Sequence, residues 1–136
     1  MIFDTKIVIA VRDDIATWQK LNVTAFLAGG LAGAEPELAG EPYRDASGTG
    51  YGPLIRQPIV VFTGSADDLK AAYRRALERN VTLHIYTREL FATGNDIDNR
   101  AAVAAVAQAD LDLVGLAFRC DRRVADKITK PLKLHP

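Results

Sequence analysis

The chain of 136 residues carries two histidines, His84 and His135, and one cysteine, Cys120. No two of these three fall within the few residues that separate paired zinc ligands, so no metal site is expected. Val8-Ile9-Ala10-Val11 runs into Arg12-Asp13-Asp14, where a dinucleotide-binding turn requires glycines. Gly48-Thr49-Gly50-Tyr51-Gly52 lacks the Gly-Lys-Ser/Thr ending of a phosphate loop and leads into Pro53 and a strand. It reads as a hairpin turn. No Gly-x-Ser-x-Gly elbow is present either, and no cofactor is implied. Cys120 sits beside Arg119, Arg122 and Arg123, which would lower its pKa if the thiol is exposed; otherwise it is a packing residue. His84 shares a strand face with Thr82 and Tyr86, where it either packs under a helix or acts as a base.

Polar residues in apolar surroundings are more informative. Asn22 lies in the middle of an apolar helical stripe, where an unpaired amide costs about 1–3 kcal/mol. It must bond to backbone, to another side chain or to a ligand. Thr87 falls at a strand end, the rim where open α/β sheets gather ligands. Lys20 lies on another face of the Asn22 helix, and Asp45 and Tyr51 belong to the glycine-rich segment that follows it. These five are the candidate ligand-binding residues. No catalytic residue is assigned.

The elements that must position them follow from apolar periodicity. Thr5–Val11 is a β-branched run, a buried first strand. A helix is predicted from about Asp14 to Ala32, with Asp13 and Asp14 favouring the positive end of its dipole. Ile15, Trp18, Asn22, Phe26 and Gly29 form one stripe, while Leu21, Val23, Leu27 and Leu31 spread apolar surface over the rest. Such a helix is either central or shared with a second subunit, and a homodimer is expected. Gly33–Gly52 is loop, with a short hairpin between Tyr43 and Tyr51. Pro58–Thr63 is a second strand, and Ser65 caps an amphipathic helix closed by Asn80. Val81–Thr87 is a third strand, Ile97–Ala109 an alanine-rich helix, and Leu111–Phe118 a fourth strand. A last short helix covers Arg123–Thr129. Strands alternating with helices give one three-layer α/β domain.

Composition bounds the rest. Apolar residues make up 49% and charged residues 25%, as in a core-forming globular chain. Seventeen basic residues balance seventeen acidic ones, which disfavours a nucleic-acid partner held by phosphate electrostatics. The one feature on the other side is the tail from Arg119, with six basic residues against two acidic. The longest uncharged run, between Lys20 and Glu35, is short of the ~20 apolar residues of a membrane span. With a lone cysteine and no secretory pattern at the N-terminus, the expected location is the cytoplasm.

Several segments together resemble a known family. Trp18-Gln19-Lys20-Leu21-Asn22-Val23-Thr24-Ala25-Phe26-Leu27, Tyr43-Arg44-Asp45-Ala46, Gln57-Pro58-Ile59-Val60-Val61 and Tyr86-Thr87-Arg88-Glu89-Leu90-Phe91 are similar to an uncharacterised bacterial domain of unknown function. Ala125-Asp126-Lys127 and Leu132-Lys133-Leu134-His135-Pro136 extend the resemblance over almost the whole chain. It implies the peptidyl-tRNA hydrolase 2-like fold, a three-layer α/β/α sandwich on a mixed sheet of about four strands. It implies no activity. True type 2 peptidyl-tRNA hydrolases open their first helix with Gly-Lys-x-x-x-Gln-x-x-His-Ala. Matching Lys20 to that lysine puts Thr24 at the glutamine and Leu27 at the histidine; matching Asn22 to the glutamine puts Ala25 at the histidine. Either register replaces the imidazole by an alkyl group, and Lys20 alone carries over. The expectation is therefore a domain that binds a small polar ligand, or a homodimeric interaction module. The alternative is a hydrolase of a peptidyl-tRNA-like ester that pairs Lys20 with Asp45 or Glu89.

Overall fold

The computed structural model describes residues 2–136. In chain order the elements are β1 (Thr5–Arg12), α1 (Thr17–Ala34), β2 (Tyr43–Arg44), β3 (Gly50–Tyr51), β4 (Ile59–Gly64), α2 (Ala66–Glu78), β5 (His84–Thr87), α3 (Asp96–Ala104), β6 (Leu113–Asp121), α4 (Arg122–Ile128) and β7 (Lys133–Leu134). Single 3₁₀ turns cover Pro36–Leu38, Arg88–Ala92 and Gln108–Asp110.

Five strands form one mixed sheet in the order β5-β6-β1-β4-β7. β1 is central, parallel to β4 and antiparallel to β6. Alternation along β1 divides the core in two. Ile7, Ile9 and Val11 pack with Val23, Leu27 and Leu31 of α1, whereas Val8 and Ala10 pack with Ala72 and Ala76 of α2 and Ala125 and Ile128 of α4. Helices thus cover both faces, and the buried strands read as near-continuous apolar runs for that reason.

The sheet has five strands where patterning predicts about four. The fifth, β7, is a two-residue piece of the tail whose backbone pairs with Phe62 and Thr63. At the other end of the prediction, β6 continues past Phe118 because Arg119, Cys120 and Asp121 pair with Ile7, Lys6 and Thr5. Val81–Leu83 lies outside the ladder. The chain there is still leaving α2 through Asn80, which has φ 56° in the left-handed region that closes helices. α3 ends at Ala104 rather than Ala109, and none of its residues is buried.

α1 begins at Thr17, not Asp14, and has no acidic residue in its first turn. The reason is electrostatic competition. Asp14 accepts two hydrogen bonds from the buried Arg12 guanidinium, at 2.9 and 3.0 Å, and a charged partner outweighs a helix dipole. The buried stripe of α1 is Val23, Leu27 and Leu31. Trp18, Leu21 and Phe26 remain 61%, 68% and 60% exposed. α2 follows the prediction closely: Ser65 Oγ accepts from the Asp68 N–H at 3.1 Å and Asp68 Oδ2 accepts from the Ser65 N–H at 3.0 Å.

Candidate functional site

β5 is a short edge strand, and what flanks it is not another strand but the 3₁₀ turn Arg88–Ala92 and then α3. A cleft opens between these and α1. Its floor is Tyr86, buried against the α1 side of the sheet. The Tyr86 ring lies 5.1 Å from Phe91 and 6.1 Å from Phe26, and Phe91 meets Trp18 edge-on at 5.7 Å. Four aromatic rings therefore run in contact from the first turn of α1 to the edge strand, at spacings where ring quadrupoles attract.

The cleft has two adjoining sections that share Phe26, Tyr86, Leu90, Asp96 and Asn99. The larger and more open one, about 580 Å³, is walled mainly by Phe26, Leu27, Leu90, Val103 and Ala104, with Gly30 and His84 at one side. The smaller and more enclosed one, about 340 Å³, adds Trp18, Asn22, Phe91, Thr93 and Asn95. Polar groups concentrate in the smaller section. The Tyr86 hydroxyl donates to Asn22 Oδ1 at 3.5 Å, the long limit of such a bond, and burial raises the Tyr86 pKa. Thr93 and Asn99 are bonded to each other. Asn95 caps α3, its Oδ1 accepting from the Asp98 N–H at 2.8 Å. The charged residues of the lining are Asp96 and Arg100, exposed side chains that pair with each other one helical turn apart.

The five sequence candidates do not converge. Asn22 lines the cleft. Lys20, two residues away on α1, projects from the opposite side of the helix and makes no ion pair among the described residues. Thr87 is buried at the end of β5, and its hydroxyl has no partner among the described residues. Asp45 and Tyr51 are brought together on the exposed hairpin, where neither lines the cleft. The Tyr51 hydroxyl donates to Asp45 Oδ2 at 2.7 Å, and Asp45 Oδ1 accepts from the Ser47 and Thr49 N–H groups. The Tyr51 bond, then those amides, lowers the Asp45 pKa, and the same carboxylate raises that of Tyr51.

The rim beyond β1 and β5 is filled rather than open. Arg12 bonds Asp14, Asp112 at 2.8 Å and the Leu113 carbonyl at 3.1 Å, and Arg88 bonds the other oxygen of Asp112 at 3.0 Å. Cys120 also departs from the exposed-thiol reading: burial, then the charge of Asp121, pushes its pKa up to about 11. Burial outweighs the neighbouring arginines; Arg119 reaches away to Glu35 and Arg122 to the Phe3 carbonyl. Among the described residues no group of three His, Cys, Asp or Glu stands close enough to hold a metal ion. None of the helices described is long and apolar enough to cross a membrane.

Trp18, Phe91, Asn95, Asn99 and Arg100 are cleft residues that sequence reasoning did not select. The available signal was Trp18 and Asn22 at i, i+4 with Phe26 at i+8, a stripe that reads as core until the true core stripe is known.

These features define a mixed-sheet α/β domain with an aromatic-walled cleft at its sheet edge. The family model described as "Protein of unknown function (DUF2000)" matches residues 5–136, and the chain belongs to that family. The chain is similar over 99% of its length to a solved protein of unknown function, Atu0240 from Agrobacterium tumefaciens strain C58. The identity is 48%, all of that chain is covered, and the TM-score is 0.96. A search of curated proteins finds no match.

Proposed function

We propose that this domain is a small-molecule binding module of peptidyl-tRNA hydrolase 2-like architecture, without the hydrolytic constellation of that fold. The observation that supports it is the cleft between α1 and α3, with its aromatic walls and its amide and hydroxyl groups. Water activation needs a base within hydrogen-bond reach of the reacting group. Of the two residues that the family registers put in the histidine position, Leu27 is buried in the core and Ala25 is exposed. Lys20 lies outside the cleft. We therefore expect no measurable turnover of N-acetylated aminoacyl-tRNA at low salt. Turnover within tenfold of a working type 2 hydrolase, abolished by Lys20→Ala, would overturn this.

Trp18 is the only tryptophan of the chain and lines the smaller section, so it reports binding directly. Titration with small aromatic amides such as benzamide should change Trp18 emission saturably and shift the backbone amides of Gly30, Tyr86 and Asn99. Saturable shifts confined to another surface, or none, would refute the cleft as the binding site.

A second reading, self-association, draws support from the hairpin. Every residue from 41 to 54 is exposed, including Tyr43, Tyr51 and Leu54. A two-stranded hairpin with nothing packed on it is marginal in water, and a second copy would supply that cover. Light scattering at micromolar concentration tests it: the reading expects a dimer, and a monomer whose mass is unchanged on concentration refutes it.

A further inference from the structure

We infer that the solvent face of α1 is a contact between two copies of this chain, packed antiparallel about a two-fold axis at Ala25. The inference rests on the self-association reading above and supplies its surface. Its first support is the chemistry of that face. Leu21, Ala25, Gly29 and Gly33 follow one another at four-residue intervals, all exposed, on the side of α1 turned away from Val23, Leu27 and Leu31. Leu21 is 68% exposed, and Trp18, at the border with the cleft, 61%. Lys20 is the one charged residue of the helix and points elsewhere; residues 21–34 carry no charge. Covering this face desolvates no ion, and a contiguous apolar patch on a surface helix marks a protein contact.

The second support is its glycines. Glycine inside a helix lowers stability relative to alanine, so each one needs a local reason. Gly30 has one, because a Cβ there would stand 3.3 Å from His84 Nδ1. Gly29 and Gly33 have none within the chain: a Cβ at either would meet nothing within 4 Å among the described residues. A backbone approaching from outside supplies the reason, since small residues at a helix contact let two helices come close.

The third support names the occupant. The large side chains of this face, Trp18 and Leu21, lie in the first half of the helix, and the glycines in the second. Parallel copies would set Leu21 against Leu21 and glycine against glycine, a collision beside a gap. Antiparallel copies centred on Ala25 set Leu21 over Gly29 of the second copy and Trp18 over its Ala32. The contact is isologous, so each fit is made twice. A centre one half-turn further along would carry Trp18 past the end of the second helix, to Pro36. Each copy offers on the order of 500 Å², so the pair buries about 1,000 Å², the lower bound for a specific contact. A dimer of micromolar strength is expected.

The experiment is analytical ultracentrifugation of the full chain from nanomolar to high micromolar concentration, beside variants. The native chain should show a reversible monomer–dimer equilibrium. Leu21→Arg, at an exposed position, should leave the amide spectrum folded and keep the chain monomeric throughout. Gly29→Ala should act with opposite signs, raising the Tm of the dilute monomer by a few degrees and weakening the dimer about tenfold. A glycine with a purely internal role would not separate the two. Cysteine cross-linking reads the orientation: under mild oxidation Ala25→Cys should join to itself, and Leu21→Cys only to Gly29→Cys. The native Cys120 packs on the other face of the sheet. A native chain that stays monomeric overturns the self-association reading and this inference with it. A dimer untouched by Leu21→Arg leaves self-association standing and overturns the α1 contact. Should Leu21→Arg unfold the chain, Gly29→Ala decides alone, and an unweakened dimer overturns the contact. Leu21→Cys joined to itself overturns the antiparallel arrangement.

Discussion

Substituting Gly115 by alanine is the sharpest test of how α1 is seated. Gly115 is the third residue of β6, buried and opposite Val11 of β1. A Cβ there would overlap Cγ1 of Val23, come within 3.1 Å of Leu27 Cδ1, and sit 3.3 Å from the Ala10 carbonyl oxygen. Val23 cannot swing aside cheaply, because a β-branched residue in a helix has one strongly preferred rotamer. The helix must lift or the valine must leave its well, and overpacking of this kind costs about 1–3 kcal/mol. Reduced freedom of the unfolded chain returns roughly 0.4–1 kcal/mol. For a domain of this length the net loss lowers Tm by several degrees, roughly 3–4 °C per kcal/mol. Val23→Ala alone removes two buried methyl groups, worth about 0.8 kcal/mol each before any cavity term. The two changes should not add. In the double variant the methyl group introduced by Gly115→Ala occupies the space that Val23 vacates, and the pair should be more stable than the sum by about 1–2 kcal/mol. Urea unfolding of the four proteins gives the cycle. Additivity within about 0.5 kcal/mol would refute the claim that these two side chains compete for one volume.

Other outcomes follow from single sites. Ser65→Ala removes the side-chain acceptor for the Asp68 N–H and should cost about 1 kcal/mol, read by urea unfolding. Cys120, with its thiol pushed up to about 11, should react with iodoacetamide at neutral pH roughly a hundredfold more slowly than an unperturbed cysteine, and at the ordinary rate once unfolded. Fast labelling of the folded protein would contradict its burial. Arg12→Met should destabilise by about 1–3 kcal/mol, below the range for a fully buried pair, since Asp14 and Asp112 are each about half exposed. The same variant should flatten the acid limb of stability. Hydrogen bonds from Arg12 hold Asp14 below the ordinary carboxylate range; at Asp112 burial pushes upward, but Arg12 and Arg88 more than offset it. That contribution is complete above the unfolded carboxylate pKa and disappears as pH falls through the folded value, so a variant lacking Arg12 has less to lose. An acid limb unchanged by the substitution would exclude this source.

What the sequence reveals depends on whether one physical signal dominates locally. β1 and β4 are apolar runs bounded by turn residues, and α2 has its cap, its acidic first turn and its apolar stripe all in agreement. Each is legible. α1 is not fully so, because apolar residues on every side leave periodicity unable to choose a face. The stripe through Trp18, Asn22 and Phe26 is as good a core candidate as the one through Val23, Leu27 and Leu31, and only the second meets the sheet. β7 carries no side-chain pattern, being held by backbone bonds to β4. The cleft is hidden for a further reason. Searches for chemistry look for nucleophiles, bases, ligands to metals and fixed charge, whereas this cleft is built mainly of rings and neutral amides drawn from four separate elements, α1, β5, the 3₁₀ turn after it and α3.

The two stripes of α1 are nonetheless one fact. Trp18, Asn22 and Phe26 recur at four-residue intervals, and Leu27 and Leu31 continue Val23 at the same interval, with Val23 and Leu27 each one residue after Asn22 and Phe26. One residue on a helix is a rotation of about 100°, so once the Val23 stripe is fixed on the sheet, the Asn22 stripe must face sideways along it. Sideways means past β6 and towards β5, the edge that carries Tyr86 and leads into Phe91. How closely the Val23 stripe can approach is set by the missing side chain at Gly115. The same glycine that lets the core close therefore sets the position of Asn22 and Phe26 over the edge strand. In the Gly115→Ala variant a lifted helix would carry both away from Tyr86, so the substitution should shift the amide resonances of the cleft residues as well as lower stability. Lowered stability with the resonances of Asn22, Phe26 and Tyr86 unmoved would mean that the valine leaves its rotamer while the helix stays seated.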